Sequence, residues 1–347
     1  MRLLIDTTYR LRAPFSGTAV YTERLCQALR QLDGVEVVEA ANRRRHPPAG
    51  GGIGSARNLI ADRYWTSVQL PRLAAHAGAD LIHHPLPAYG HLARVPQVIT
   101  VHDLAFERLP EMFPPGFRRY ASLAHRRAAS SAAVVICVSE TTAREVRELW
   151  GVSPGRIVVA PHGPGQDMRA VHRDHHGDQH FLYVGDDEPR KNLATLLAAH
   201  RDYRQRSGHP LPLVLAGAVD HRESGVAVKL NPPRARLAEL YATAAALVHP
   251  SLYEGFGLTV LEAMSSGTPV IASRTPALLE LCGDAATYVD PTDSRELAVE
   301  MARIAGDPGL RRAMSERGRQ RAAGFSWRRS AEAHVAAYSR AIDRIQD

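Results

Sequence analysis

His249-Pro250-Ser251-Leu252-Tyr253-Glu254-Gly255-Phe256-Gly257-Leu258-Thr259-Val260-Leu261-Glu262-Ala263-Met264 follows the apolar run Ala244 to Val248. A strand-like segment thus enters a turn holding two glycines and a carboxylate, and a helix-like segment leaves it with a second carboxylate eight residues on. N–H groups in the first turn of a helix lack intrahelical acceptors and carry the positive end of its dipole, so they attract an anion. The two carboxylates can accept hydrogen bonds from hydroxyls. A ligand with both phosphates and sugar hydroxyls fits this pattern, and a sugar nucleotide has both.

Outward from this stretch, short apolar runs alternate with helical spacing, which points to α/β architecture. Strands are expected at Leu3 to Ile5, Val35 to Glu39, Leu81 to His83, Val98 to Val101, Val134 to Val138 and Arg156 to Ala160. A second series begins at Phe181 to Val184 and continues at Leu213 to Ala216, Ala246 to His249, Val270 to Ala272 and Ala286 to Val289. Thr22 to Gln31, Phe117 to Ser130 and the chain from Ser294 have helical spacing. Residues 42–56, rich in Arg, Pro and Gly, read as a flexible loop. Pro161-His162-Gly163-Pro164-Gly165 and the polar stretch to Gln179 read as an interdomain linker.

The length of 347 residues, 45% hydrophobic and 23% charged, allows two cores of ordinary size. Cys26, Cys137 and Cys282 are far apart and odd in number, which argues against a disulfide framework and for a reduced cytoplasm. The N-terminus reads as a strand and not as a signal peptide. No apolar run has the length of a transmembrane helix.

The formal charge is +7, with arginines at Arg43-Arg44-Arg45 and from Arg118-Arg119 to Arg126-Arg127. These are not interleaved with stacking aromatics, so nucleic acid is not the expected partner. A solvated basic face, an anionic membrane surface and a phosphorylated acceptor remain as readings.

Gly185-Asp186-Asp187-Glu188-Pro189-Arg190-Lys191-Asn192 follows the first strand of the second series. Two adjacent cations at a strand-to-helix turn can bind a diphosphate, Arg as a planar fork and Lys as a point charge. The bland alternative is a helix start with exposed charges. Asp186 and Asp187 resemble an acidic metal-binding pair, but the neighbouring cations would already neutralise phosphates, so no metal is expected. His172, His175, His176 and His180 cluster without a carboxylate or Cys pattern to complete a metal site.

The run from His249 closely resembles the E-x7-E signature of the family 4 retaining glycosyltransferases, which have the GT-B fold of two Rossmann-like domains facing a cleft. Its acids are Glu254 and Glu262. The resemblance continues through Gly267-Thr268-Pro269-Val270-Ile271-Ala272-Ser273 and, less sharply, over nearly the whole chain. It implies an acceptor-side domain at 1–166, a donor-binding domain at 177–325, and a crossover helix at 326–347 packing back on the first domain. Phe325-Ser326-Trp327 matches the start of that crossover.

By the same resemblance, Arg190 and Lys191 meet the donor diphosphate, Glu254 holds a hydroxyl of the donor sugar, and Glu262 takes the ribose hydroxyls. For Glu262 the alternative is a capping box, Thr259-x-x-Glu262. Phe256, Gly257 and Leu258 would supply backbone N–H groups, and Thr259 belongs to the same donor site. Many relatives place an arginine directly after the glycine of the first motif, where this chain has Asp186. In the first half, Val98-Ile99-Thr100-Val101-His102-Asp103 ends a strand on a histidine. Its family counterpart lies near the anomeric carbon, so His102 is expected to polarise the sugar. Asp103 would orient His102 or cap the next helix. Gly17, in Ser16-Gly17-Thr18-Ala19, stands where the family has a glycine-rich loop touching donor or acceptor. No G-x-G-x-x-G follows the first strand, which disfavours a nicotinamide dehydrogenase. His83-His84 and His162 are further candidates for the acceptor cleft.

The expected activity is retaining, metal-independent, cofactor-free transfer of a hexosyl group from a nucleotide-diphosphate sugar to a glycan, lipid-linked or small-molecule acceptor. The E-P-R-K-N form suggests mannosyl first, with UDP-hexoses close behind. The expected location is cytoplasmic, with a peripheral membrane contact as one option. Alternatives are a nucleotide-sugar epimerase, another GT-B enzyme such as a phosphorylase, or an inactive sugar-nucleotide-binding protein.

Overall fold

The apolar runs become the strands of two parallel sheets. The computed structural model describes residues 1–14, 16–44, 52–165 and 179–346. The chain divides into two units, Met1–Gly163 with Trp327–Asp347, and Pro164–Ser326.

The first unit holds β1 (Arg2–Asp6), β2 (Glu36–Ala40), β3 (Leu81–His84), β4 (Gln97–Val101), β5 (Val134–Cys137) and β6 (Ile157–Val159), in the order β2-β1-β3-β4-β5-β6. The second holds β7 (His180–Val184), β8 (Leu213–Gly217), β9 (Val226–Leu230), β10 (Ala244–His249), β11 (Val270–Ser273) and β12 (Thr287–Val289), in the order β12-β11-β10-β7-β8-β9. All pairings are parallel. Parallel strands covered by helices on both faces bury both sets of side chains and read as continuous apolar runs. Every residue of β3, β4, β5, β7 and β11 is accordingly buried.

In each sheet the chain starts on an inner strand, builds to one edge, and returns to the other side of its first strand. The strand order therefore reverses between β1 and β3 in the first unit and between β7 and β10 in the second. Crossovers leave in opposite directions there, and a crevice opens at the carboxyl ends of the strands.

The last helix, Trp327–Gln346, belongs to the first unit and packs on the helix Gly17–Leu29 and on β4, β5 and β6. Its buried Ala331, Ala337 and Ala341 allow close approach, and Tyr338 fills the space between them.

Three sequence readings change. Residues 42–56 do not form one loop, because a helix starts at Gly52 and runs to Tyr64. β9 had no counterpart in the apolar pattern, being an edge strand whose residues are half-buried or exposed. His83 and His84 are fully buried, so they do not face an acceptor. Most of the expected linker, including His172, His175 and His176, lies outside the described residues, as do Arg45 and the glycines at 50 and 51. The three cysteines are free and buried.

Candidate functional site

The switch point of the second sheet brings together the two motifs read from the sequence. The loop after β7 carries Arg190 and Lys191 on a single 3-10 turn, Pro189–Lys191. The loop after β10 carries Glu254 and leads into the helix Leu258–Ser266. Leu252 N–H donates to the Arg190 carbonyl (2.8 Å), stitching the loops together. Asn192 completes the joint. It adopts a left-handed backbone (φ 58°), and its side-chain amide donates to the carbonyls of Pro250 (3.1 Å) and Pro291 (2.6 Å). Asparagine tolerates that backbone better than most residues and supplies the donor.

Glu254 is the centre of this assembly. Its Oε1 accepts from Lys191 Nζ at 2.7 Å and from His249 Nε2 at 2.9 Å, while Arg190 stands 3.6 Å from Oε2. Burial alone would raise its pKa, but Lys191, His249 and Arg190 together hold it well below the usual carboxylate range. Glu254 is therefore charged and fixed. A carboxylate only accepts, so His249 donates from Nε2, and its Nδ1 faces the Thr259 hydroxyl at 3.4 Å. Burial lowers the His249 pKa, which keeps the ring neutral beside two cations.

Arg190 is held differently. It pairs with Glu188 at 2.8 Å, and that carboxylate is about half exposed. Such a pair is weak, whereas the buried Lys191–Glu254 pair is costly to break. Arg190 therefore sits in the weaker of the two pairings, on the more exposed carboxylate.

Gly257 caps the helix Leu258–Ser266 with φ 101°, and a Cβ there would lie 2.7 Å from Leu278. Both constraints demand glycine. Val260 and Leu261 N–H turn back to the Gly257 carbonyl, leaving the first-turn N–H groups of Leu258 and Thr259 without a backbone acceptor among the described residues. Phe256 is buried with its ring against Phe325 (6.0 Å), which takes its side chain out of a ligand's reach. Glu262 lies one turn into the helix, and its Oε2 accepts from Tyr241 OH at 2.9 Å. The capping-box reading fails, because Gly257, not Thr259, is the N-cap and no side chain caps this end. On the other loop, Asp186 Oδ1 accepts from Ala218 N–H. Among the described residues no group of His, Cys, Asp or Glu is arranged to hold a metal ion.

In the first unit, Gly17 opens the helix Gly17–Leu29 behind the Ser16 N-cap, with open space where a side chain would stand. His102 follows β4. Its Nε2 donates to the Pro85 carbonyl (3.0 Å), and burial lowers its pKa to about 4. The neutral ring thus carries its lone pair on Nδ1. Asp103 Oδ1 accepts from Ala105 N–H (3.0 Å), two residues on.

Beneath His102 lies a network that sequence reasoning missed. His334 Nδ1 donates to the Ser330 carbonyl (2.7 Å), so its Nε2 must accept from Tyr21 OH (2.8 Å). Tyr21 then accepts from Thr100 Oγ1 (2.8 Å), which accepts from His83 Nε2 (2.9 Å). That leaves His83 Nδ1 to accept from Tyr338 OH (2.8 Å). One carbonyl fixes the direction of every proton in the chain, and all its histidines are neutral with pKa values lowered chiefly by burial. The Tyr21 ring meets His102 edge-on at 4.8 Å, and His162 stacks on Trp327 at 5.4 Å, so His162 is core. Five segments supply this cluster, and no local spacing could reveal it. His249, Asn192 and Tyr241 were also missed as partners, although His249 directly precedes the turn.

Two families match in sequence. The pattern described as Glycosyl transferases group 1 covers residues 166–321, and that described as Glycosyltransferase Family 4 covers residues 15–164. The O-antigen chain mannosyltransferase B of Escherichia coli is 31% identical over 264 residues, covering 70% of this chain and 69% of that protein. Sucrose-phosphate synthase from Thermosynechococcus elongatus superposes with a TM-score of 0.75 at 22% identity, covering 98% of each chain. Anabaena HepE in complex with UDP and glucose superposes with a TM-score of 0.73 at 18% identity, covering 98% of this chain and 99% of that one.

Proposed function

Since this chain belongs to the family 4, group 1 glycosyltransferases and has their GT-B fold, we propose that it transfers a hexosyl group from a nucleotide-diphosphate sugar with retention and without a metal ion. The observation that carries the reading is the meeting of Arg190, Lys191, Glu254 and the first turn of Leu258–Ser266 at the switch point of the second sheet.

In this reading Arg190 leaves Glu188 for the donor diphosphate, while Lys191 stays on Glu254 and adds its field. The N–H groups of Leu258 and Thr259 face the same anion. Negative charge builds on the diphosphate as the sugar–phosphate bond loosens, and donors already in place stabilise it without reorganising. The acceptor hydroxyl attacks the anomeric carbon from the face the diphosphate leaves, and its proton passes to the departing phosphate oxygen. Glu254, held by its cations and His249, accepts a hydrogen bond from a sugar hydroxyl and is not a nucleophile. Glu262, steadied by Tyr241, accepts from the ribose. His102 keeps the role implied by the family resemblance, polarising the sugar as a neutral ring.

Mannose is the first sugar to test, because the similar Escherichia coli protein is a mannosyltransferase. UDP-hexoses come next, because HepE binds UDP and glucose. The test is to incubate the chain with GDP-mannose or UDP-glucose and simple alkyl glycosides, and to follow the anomeric proton by NMR with and without EDTA. Transfer with the donor's anomeric configuration, unchanged by EDTA, is expected. An inverted product or loss of activity with EDTA would contradict the reading. Donor epimerised without an acceptor, or bound but never consumed, would favour the epimerase or the inactive binding protein respectively.

A further inference from the structure

At the amino ends of the strands of the first sheet lies a cavity of about 410 Å³. Tyr89, Arg94, Gln97, Ser131, Arg156 and Arg344 are among the residues that line it. Gln97 begins β4 and Arg156 directly precedes β6, whereas His102 follows β4. The length of β4, about 16 Å, therefore separates this cavity from His102.

The lining contains three arginines and no acid. Arg156 Nη2 donates to the carbonyls of Ala129 (2.7 Å), Ser130 (3.0 Å) and Ala132 at the end of the helix Pro115–Ser131. Arg344 Nη1 donates to the carbonyl of Gly155 (3.1 Å). These carbonyls hold the two guanidinium groups in place without cancelling their charge. A guanidinium has five N–H donors, so both groups keep donors for a ligand. Arg94 forms no hydrogen bond or ion pair among the described residues. Arg340, one turn before Arg344, also approaches Gly155, and Asp343 forms no ion pair among the described residues. Burial and the neighbouring Arg344 both lower the Arg156 pKa, as expected of cations gathered without a counterion. Holding the end of a helix accounts for Arg156, but not for Arg94 or Arg344.

We propose that this cavity binds a small, soluble molecule carrying two or more phosphate charges, of which diphosphate is the simplest. Arginine forks match phosphate oxygens in pairs, and three of them around one space suit an anion of more than one charge. The Tyr89 and Ser131 hydroxyls, which have no hydrogen-bond partner among the described residues, add two donors. The volume lies in the range of small-molecule sites. A bound anion joins Arg344, near the end of the last helix, to Arg94 and Arg156 beside the strand starts, and so ties that helix to the sheet. The site lies apart from the donor chemistry and does not depend on it.

The experiment is calorimetric titration of the full chain with pyrophosphate. It is made on Arg190→Ala, which weakens any diphosphate binding at the donor loops, and on the same chain with Arg94→Ala/Arg344→Ala added. One equivalent is expected to bind the first chain, less tightly as salt rises, and the added pair should weaken it more than about tenfold. Both added positions are exposed, so the melting temperature without pyrophosphate should hold. Should the pair unfold the chain, Arg94→Ala alone removes no polar contact and should still weaken binding. In the otherwise wild-type chain, Arg94→Ala/Arg344→Ala should leave any nucleotide-induced melting shift unchanged, which separates this site from the donor site. No pyrophosphate binding to Arg190→Ala, or binding that the added pair leaves unchanged, would overturn the proposal. Loss of binding to phosphatidylglycerol vesicles in the pair, with pyrophosphate affinity unchanged, would assign the arginines to a lipid headgroup and overturn it as well.

Discussion

Glu254 shows what one residue costs and does. Lys191→Ala removes its nearest cation and strands a buried carboxylate, which typically costs about 3–5 kcal/mol. We therefore expect Lys191→Ala to lower both melting temperature and turnover. The double variant Lys191→Met/Glu254→Gln keeps the position uncharged and should recover much of the stability while turnover stays down by roughly a hundredfold or more. Recovery of turnover with stability would remove the catalytic role. Gly257→Ala forces a left-handed backbone and a contact with Leu278, for about 2–5 kcal/mol of destabilisation by chemical denaturation. The Glu254 and Lys191 motifs were legible as separate runs because each is local. Their pairing was not, since the residues are 63 apart and meet only when β7 and β10 become neighbours. Glu262 could be read as a cap only while the true N-cap, Gly257, was unknown.

Among the elements, the last helix is tied to the first sheet through polar contacts inside the core. Tyr338→Phe deletes the donor to His83 Nδ1 without changing shape, leaving a fully buried acceptor unsatisfied. The expected loss is about 1–3 kcal/mol, measured by denaturant unfolding. No loss would mean that the hydrogen-bond chain contributes nothing to holding this helix. Strands were legible because central parallel strands are apolar throughout, as in Val134-Val135-Ile136-Cys137. Val226–Leu230 escaped because it is an edge strand with a lysine and an exposed leucine. Gly52–Tyr64 escaped because glycines at its start look like loop, although the residues after them form a helix. His83, His162 and Tyr338 carry no sequence mark of depth. A histidine at a strand end looks the same whether it meets substrate or core.

At the scale of the whole molecule, neutral buried histidines set the response to acid. His102 and His334 have pKa values near 4 in the folded chain, against 6.5 as the ordinary value. Unfolding therefore takes up protons between those limits, so their effect is absent above about pH 6.5 and stability falls as the pH drops towards 4. Each histidine contributes a slope of about 1.4 kcal/mol per pH unit across that window. Glu254 adds to the loss only at lower pH, because its depressed pKa keeps its contribution until the pH falls below the ordinary glutamate range. Unfolding free energy measured from pH 7 to pH 4.5 should decline steadily. A flat profile would show that these histidines are not held neutral.

The most direct measurement is the melting temperature with UDP, GDP, ADP and dTDP, each with and without EDTA. It should be made on the wild-type chain, on Glu262→Gln and on Lys191→Met/Glu254→Gln. A nucleotide at a hundredfold excess over its Kd stabilises the folded state by about 2.7 kcal/mol. We predict that one nucleotide raises the wild-type melting temperature independently of EDTA and that the shift shrinks or vanishes in both variants. No shift with any nucleotide, or the same shift in all three proteins, would contradict a donor site built by the loops after β7 and β10.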